Sequence, residues 1–327
     1  MKSILIIQTA FIGDVVLATP VIEKLHEAYP QVSIDFLLRK GNEGLLQRHP
    51  YLREVLIWDK KKGKYKQLLS TITKIREKQY DCVINLHRFL NTGIITAFSG
   101  AKQTVGFSKN PMSFLFSKKY PHNIGKEHES EHEIDRNLSL IRHLYSGSGR
   151  CLPKLYPSAT DFAKVRHDGP YVTISPTSVW FTKQYPRDKW VNVIDRINPG
   201  TAVFLLGGPP DVLACEQIKN KSNHPQVTVM AGKLSFLESA ALMKGAEMNY
   251  VNDSAPMHFA SAVNAPVTAI YCSTIPAFGF GPLSTNSRIV EYSGILDCRP
   301  CGLHGYRACP KGHFKCAEIK AEEVINL

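Results

Sequence analysis

A glycine and an aspartate stand together near the start of the chain, where a short apolar run gives way to helical spacing. Gly13 permits a tight turn and a close approach of the backbone, and Asp14 lies at the start of the helix that follows. Aspartate is a good N-cap residue. A carboxylate at the carboxyl end of a parallel strand can also act as a general base toward a hydroxyl group. The spacing leaves both interpretations open, and the loop is not the GxGxxG sequence of dinucleotide-binding proteins.

A loop early in the second half of the chain combines hydroxyl groups with a lysine. It covers residues 175–186 after an apolar run, and it contains Ser178 and Lys183. A hydroxyl and an ammonium group in such a loop can contact phosphate oxygens. An ordinary polar loop is the alternative interpretation.

A second loop in the same half, residues 252–258, connects a predicted strand to a predicted helix. Backbone N–H groups at the start of a helix form an anion site, and His258 can lean back toward it from one turn further on. Helix capping by Asp253 or Ser254, with His258 in the core, explains the same residues.

Four of the eight cysteines crowd the C-terminal part of the chain. They are Cys298, Cys301, Cys309 and Cys316. Four thiolates can hold a tetrahedral zinc ion. The second pair, however, is separated by six residues rather than two, so the spacing favours reduced cysteines packed in a C-terminal lobe over a zinc site.

Short apolar runs alternate with helical spacing in both halves of the chain. This alternation predicts two doubly wound α/β domains with parallel sheets. A stretch rich in serine, glycine and proline separates them, which gives predicted domains 1–160 and 161–327. Strands are predicted at 2–8, 33–38, 55–58, 82–86, 171–175, 201–206, 227–230, 248–251 and 267–271. Bounded helices are predicted at 68–77, 135–145, 189–197, 237–244 and 256–263.

Composition excludes several classes of protein. Of 327 residues, 43% are hydrophobic, which is enough for a large core and argues against global disorder. The sequence contains no run of about 18 apolar residues, so no membrane-spanning helix is predicted. The first apolar run is too short for a signal peptide, and a cytoplasmic protein is therefore expected.

The net charge of +12 is concentrated in the first 150 residues, which hold 23 basic and 14 acidic residues. Such an excess suits nucleic acid, an anionic membrane surface or a phosphorylated substrate.

In order and spacing, these segments resemble glycosyltransferase family nine, the ADP-heptose:lipopolysaccharide heptosyltransferases, over nearly the whole chain. The similar segments are the opening 13–20, the loop with Ser178, Lys183, Pro186 and Trp190, the strand end 205–208 with Asp211, and the helix start 253–262. The tail from Cys298 to Cys316 resembles heptosyltransferases of the second-heptose type.

The resemblance implies a GT-B fold, in which two Rossmann-like domains face a central cleft. It implies inverting, metal-independent transfer of heptose from ADP-heptose to a lipopolysaccharide inner-core acceptor, with no cofactor. Asp14 corresponds to the general base. Lys183 and the backbone N–H groups of Ser254 and Ala255 correspond to the groups that stabilise the diphosphate charge.

The same resemblance assigns the remaining site residues and partners. The residues that bind the nucleotide sugar are expected to be Ser178, Lys183, Leu234, Asp253, Ser254, Ala255 and His258. Gly13, Thr19 and Lys60 are expected on the acceptor side, in the N-terminal domain. The expected partners are a nucleotide sugar, a lipid A–core oligosaccharide and the anionic inner face of the bacterial inner membrane, with no nucleic acid. A peripheral monomer is expected, and its basic docking face is predicted to comprise Lys60–Lys66, Lys118, Lys119 and Lys126.

One departure from the family pattern leaves two alternative functions open. Ala255 stands where the family usually has glycine, and Pro256, which lacks an N–H group, follows it. A family-nine-like transferase that uses another nucleotide sugar is therefore one alternative. A non-catalytic module that binds a nucleotide or nucleic acid is the other.

Overall fold

The chain divides into two α/β units, Met1–Tyr156 and Pro157–Leu327. The computed structural model describes residues 1–60, 63–124, 131–145 and 149–325. Each unit contains one six-stranded sheet, and every pair of neighbouring strands in these sheets is parallel. The prediction of two parallel-sheet α/β domains is confirmed.

The sheet of the first unit has the order β3-β2-β1-β4-β5-β6. Its strands are β1 (Ser3–Ile7), β2 (Ser33–Arg39), β3 (Leu52–Trp58), β4 (Cys82–Asn85), β5 (Gln103–Phe107) and β6 (Lys118–Tyr120). Its helices are α1 (Ile12–Ala28), α2 (Lys64–Glu77), α3 (Leu90–Ala97) and α4 (Glu133–Ser139). The chain order reverses between β1 and β4, and in such sheets ligands bind outside the carboxyl ends of the strands at this point.

The second unit repeats this topology with the order β12-β11-β10-β7-β8-β9. Its strands are β7 (Tyr171–Ser175), β8 (Ala202–Leu205), β9 (Val227–Val229), β10 (Met248–Asn252), β11 (Val267–Tyr271) and β12 (Ser287–Glu291). Its helices are α5 (Ala159–Lys164), α6 (Arg187–Ile194), α7 (Val212–Lys221), α8 (Phe236–Gly245), α9 (Ala255–Ala262) and α10 (Ala321–Ile325). The order reverses between β7 and β10, which places the ligand-binding edge of this sheet beside the ends of those two strands.

The C-terminal segment packs into the core of the second unit. Cys316 and Val324 belong to the same buried cluster as Trp190, which is fully buried. The hydroxyl of Tyr185 donates to the carbonyl of Ile319 at 2.9 Å, and the Tyr185 ring meets Trp190 edge-on. The tail is therefore part of the folded unit.

No helix within the described part of the chain is both long enough and apolar enough to cross a membrane.

Candidate functional site

Asp14 occupies the third position of α1, at the carboxyl end of β1. Its Oδ2 accepts the backbone N–H of Phe11 at 3.0 Å, so the carboxylate does cap the first turn of the helix. The side chain is only half-buried. One carboxylate oxygen can therefore accept the N–H group at the start of the helix while the carboxylate remains accessible to a second partner.

The electrostatic environment of Asp14 makes this carboxylate more basic than usual. Protein packed around it removes water and, with the negative charge of Glu133 nearby, raises the pKa to about 6. The N–H groups of the helix start and the guanidinium of Arg88 act in the opposite direction and are outweighed. A carboxylate with this pKa is mostly ionised at pH 7 and still a usable proton acceptor, as general base catalysis requires.

Glu133, whose negative charge acts on Asp14, is itself held in the charged form. Burial alone would raise its pKa, but hydrogen bonds from His122 and Arg136 lower it. The distances are 3.2 Å from His122 Nε2 and 2.8 Å from Arg136 Nε. The negative charge that acts on Asp14 is therefore permanent near neutral pH.

Cationic and neutral basic side chains reach the same edge of the sheet from other strand ends. Lys60 follows β3, and its ammonium group donates to the carbonyl of Thr9 at 2.9 Å and lies 4.8 Å from the centre of the Trp58 ring. Partial desolvation of the ammonium group, reinforced by Arg39, lowers the pKa of Lys60. Lys60 therefore lies at this edge of the first unit, and its role on the acceptor side stays a prediction.

His87 and Arg88, which follow β4, were not singled out from the sequence. Burial lowers the pKa of His87 to about 3, with smaller contributions from Lys60 and Arg88, so the ring is neutral at physiological pH. Its Nδ1 lies 3.4 Å from the hydroxyl of Thr9. The available signal was their position directly after the predicted strand 82–86, at the switch point of the sheet.

Two predicted acceptor residues have different environments from those expected. Gly13 lies in the first turn of α1 and is not among the glycines with positive φ, so no tight turn depends on it. Thr19 is fully buried; its hydroxyl donates to the carbonyl of Val16 at 2.7 Å and accepts the N–H of Lys154 at 2.9 Å. The structure does not bring Thr19 to the ligand-binding edge.

The second unit brings Lys183 and Asp253 together at the ends of β7 and β10. Lys183 Nζ lies 2.6 Å from Asp253 Oδ2, and both side chains are largely buried. The hydroxyl of Thr274, which follows β11, donates to the same carboxylate oxygen at 2.6 Å. An ion pair therefore joins the two loops that were singled out from the sequence.

Asn252 fixes the lysine-bearing loop to the end of β10. Its Oδ1 accepts the N–H of Tyr185 at 2.9 Å, and its Nδ2 points to the carbonyls of Ser175 and Thr177 at 3.4 Å. Since Lys183 lies within the loop that these bonds span, Asn252 limits where the ammonium group can go.

The other predicted nucleotide-sugar residues have different local environments. Ser254 is the N-cap of α9, but its hydroxyl donates to the carbonyl of Asn252, so it does not cap the helix through its side chain. Ala255 is the first helical residue, and His258 is buried one turn later. Ser178 and Leu234 are half-buried, in the lysine loop and just before α8 respectively.

The four tail cysteines are free thiols. Cys298 Sγ lies 3.8 Å from His313 Nε2, and burial, together with the nearby Cys298 and Cys309, raises the pKa of Cys301. Among the residues that the structure describes, no group of three or more His, Cys, Asp or Glu side chains is placed to hold a metal ion. The zinc alternative therefore gains no support from the described residues.

The predicted basic docking face is described only in part. Lys61, Lys62 and Lys126 lie outside the described residues. Lys118 and Lys119 are exposed on β6, which is one of the two edge strands of the first sheet.

The model of glycosyltransferase family 9 (heptosyltransferase) matches residues 68–304. The chain belongs to this family. It is accordingly a glycosyltransferase enzyme. One curated relative, lipopolysaccharide heptosyltransferase 3 of Escherichia coli, is 30% identical over 293 residues, which cover 84% of this chain and 85% of the relative. The match to the family covers the loop of Lys183 and the helix start at Asp253, and Asp14 lies before it.

Relatives with other names are less similar to this family 9 chain. Lipopolysaccharide heptosyltransferase 2 of Escherichia coli K12 is 22% identical over 357 residues, covering 99% of this chain and 96% of the relative. Sequence identity therefore favours heptosyltransferase 3 over the second-heptose type that the cysteine tail suggested. The solved structure of Escherichia coli ADP-heptose LPS heptosyltransferase II has a TM-score of 0.82 at 22% identity, covering 100% of this chain and 97% of that one, which shows a common fold.

Proposed function

We propose that this family 9 enzyme transfers heptose from ADP-heptose to a lipopolysaccharide inner-core acceptor with inversion at the anomeric carbon. The basic, half-buried carboxylate of Asp14 carries the proposal. Asp14 takes the proton of an acceptor hydroxyl, the hydroxyl oxygen forms a bond to the anomeric carbon, and the bond to ADP breaks with its electron pair on the diphosphate. The names of the relatives support the heptose donor and the lipopolysaccharide acceptor.

The division of labour between the two units belongs to the same proposal. The first unit binds the acceptor beside Asp14, and the second binds the nucleotide sugar beside Lys183, in the GT-B arrangement of facing domains. Lys183 and the first N–H groups of α9 offer positive charge to the leaving diphosphate, which supports transfer without a metal ion.

The acceptor is anchored in a membrane and carries negative charge, so we propose that the enzyme works at the inner face of the cytoplasmic membrane as a peripheral monomer. The basic excess of the first 150 residues supports this location, because it attracts anionic lipid headgroups within a Debye length. The exposed Lys118 and Lys119 on β6 are available for that attraction.

A second nucleotide sugar remains the rival donor because of Pro256. This residue lies in the first turn of α9, where it fits the helix but removes one N–H donor from the anion site.

The identity of the donor is tested with a panel of ADP-, UDP- and GDP-linked sugars and lipopolysaccharide core acceptors, with products analysed by mass spectrometry. We expect a product only from ADP-heptose. Transfer from a different nucleotide sugar alone would establish the rival donor, and no transfer from any of these sugars would contradict the proposed donor and acceptor.

The pH dependence of transfer provides a second prediction. Because Asp14 must be ionised to accept a proton, kcat/KM is expected to fall as the pH drops through about 6, the raised pKa of that carboxylate. His87 does not contribute to this inflection, since burial keeps its pKa near 3 and the ring stays neutral. Initial rates at subsaturating acceptor, from about pH 5 to about pH 8, provide the measurement, with ADP affinity over the same range as the control. A profile that is flat through this range would contradict the assignment of the base.

A further inference from the structure

A short stretch of the cysteine tail is hydrogen-bonded to the loop that carries Lys183 and to the segment after β11, whose Thr274 bonds to Asp253. It covers residues 299–306, between Cys298 and Cys309, and we call it the brace segment. The proposed function leaves this part of the cysteine motif without a role. Its contacts form two chains of hydrogen bonds that lead to the charged pair.

The first chain begins at Arg299. Its guanidinium group donates to the carbonyl of Cys272 at 2.7 Å and to the carbonyl of Thr274 at 2.7 Å, and it forms an ion pair with Glu291. Strand β11 ends at Tyr271, so Cys272 and Thr274 lie beyond the last ladder residue of the sheet. Arg299 supplies the hydrogen bonds that the sheet no longer provides there.

Thr274 links Arg299 to the charged pair through a hydrogen bond. Its hydroxyl is almost completely buried and donates to Asp253 Oδ2 at 2.6 Å. Lys183 Nζ lies 2.6 Å from the same oxygen. Because a hydroxyl and an ammonium group share one carboxylate oxygen, a displacement of Thr274 changes the place of both charges.

The second chain runs from Cys301 to the residue before Lys183. The N–H of Cys301 donates to the carbonyl of Ser273 at 2.8 Å, and the hydroxyl of Ser273 donates to the hydroxyl of Thr182 at 3.0 Å. The backbone of Tyr306 then holds Thr182 from both sides. Its N–H donates to the Thr182 hydroxyl at 2.8 Å, and its carbonyl accepts the Thr182 N–H at 3.1 Å.

Gly305 brings the brace segment against the stem of the lysine itself. It has a φ of +75°, and a Cβ built on it would lie 3.0 Å from Lys183 Cγ and 2.9 Å from Thr182 Oγ1. A side chain at this position would therefore push against both residues.

We propose that the brace segment positions the Lys183–Asp253 pair for the sugar nucleotide, with Arg299 as a positioning residue that acts through Thr274. This inference rests on the proposed function in one respect, that the pair holds the donor. It gives the cysteine tail a definite part in the reaction: the tail places the cation and the carboxylate of the donor site without touching the substrate.

The first test replaces Arg299 by lysine, which keeps the charge but cannot donate to several carbonyls in a fixed fork. The donor kcat/KM is expected to fall by about 10- to 100-fold through a higher donor KM, because small displacements of binding groups have effects of this size. The acceptor KM is expected to be unchanged. The matched control is Arg288→Lys, since Arg288 is a half-buried arginine of the same unit that donates to the carbonyls of Glu323 and Val324, away from the pair.

The second test uses glycines with equal backbone strain. Gly305→Ala is expected to raise the donor KM, whereas Gly312→Ala is expected to leave it unchanged. Gly312 has a φ of +73°, and a Cβ there would meet nothing within 4 Å. An equal rise in donor KM in both variants would show a general effect of strain and would overturn the proposal.

A ligand-free measurement separates this inference from the proposed function. In protein whose lysines carry ¹³C-methyl groups, the NMR signal of Lys183, assigned with Lys183→Arg, reports the surroundings of its ammonium group. This signal is expected to move in Arg299→Lys and Gly305→Ala and to stay in place in Arg288→Lys and Gly312→Ala. If the wild-type enzyme transfers no heptose, the proposed function fails, while this signal still decides whether the brace positions Lys183. If the signal does not move in Arg299→Lys and Gly305→Ala, and these variants only have a lower Tm, the brace segment has a structural role alone and the proposal is wrong.

Discussion

Asp14→Asn is expected to lower kcat by about 10²- to 10⁴-fold while the melting temperature and the affinity for ADP stay close to wild type. The substituted amide keeps the shape of the carboxylate, and its Oδ1 can still accept the N–H of Phe11, as Asp14 Oδ2 does at 3.0 Å. It cannot take a proton from an acceptor hydroxyl. The substitution therefore separates the capping role of Asp14 from its role as a base.

The matched control for this substitution is Asp161→Asn. Asp161 also stands at the third position of its helix, α5, where its Oδ2 accepts the N–H of Ser158 at 2.7 Å. Loss of that charge affects a helix start of the same kind, and we expect kcat to be unchanged. Initial rates, thermal melts and ADP titrations of the two variants are the measurements. Full activity in Asp14→Asn, or an equal loss in Asp161→Asn, would contradict the assignment of Asp14 as base.

The sheets were predictable because their central strands are short apolar runs bounded by polar loops. The predicted strands 171–175 and 267–271 coincide with β7 and β11. The position of the site followed from the same pattern, since Asp14 and the two loops of the second unit all come directly after strands at a switch point of their sheet.

Elements without a hydrophobic pattern could not be predicted in this way. Strand β6 has the sequence Lys-Lys-Tyr and lies at the edge of its sheet, where only one neighbour pairs with it. The helix predicted at 135–145 is α4, which spans Glu133–Ser139 and is followed by turns, although Ile141 beyond its end is buried. A buried apolar residue in a turn gives the same spacing as one more helical turn, so the predicted helix extends too far.

Within the site, local spacing could indicate single residues but not their partners. Lys183 and Asp253 are 70 positions apart, and neither loop carries a signal for the other. Thr274 and Arg299 join the same network from two further segments of the chain. The burial of Thr19 has a geometric reason: five residues after Asp14 on one helix, it lies about 140° around the helix axis and faces the interior.

Lys183→Met is expected to lower donor kcat/KM by about 10²- to 10³-fold, the range for removal of one group that stabilises charge in the transition state. Methionine keeps much of the apolar stem that packs beside Gly305 but cannot neutralise a leaving diphosphate. The affinity for ADP is expected to fall toward that for AMP, because the second phosphate loses its cation. Lys189→Met is the control, since the Lys189 ammonium donates to the carbonyl of Ile319 away from the pair.

The double variant Lys183→Met/Asp253→Asn identifies which charge causes the loss. In the single variant Asp253 keeps its bond from Thr274 but loses its cation, so its negative charge can repel the diphosphate. If repulsion is the main effect, the double variant recovers much of the affinity for ADP; if Lys183 attracts the diphosphate directly, the loss persists. We expect the loss to persist, because Lys183 supplies the positive charge that meets the leaving diphosphate in the proposed mechanism. Wild-type donor kcat/KM in Lys183→Met would remove Lys183 from the proposed mechanism.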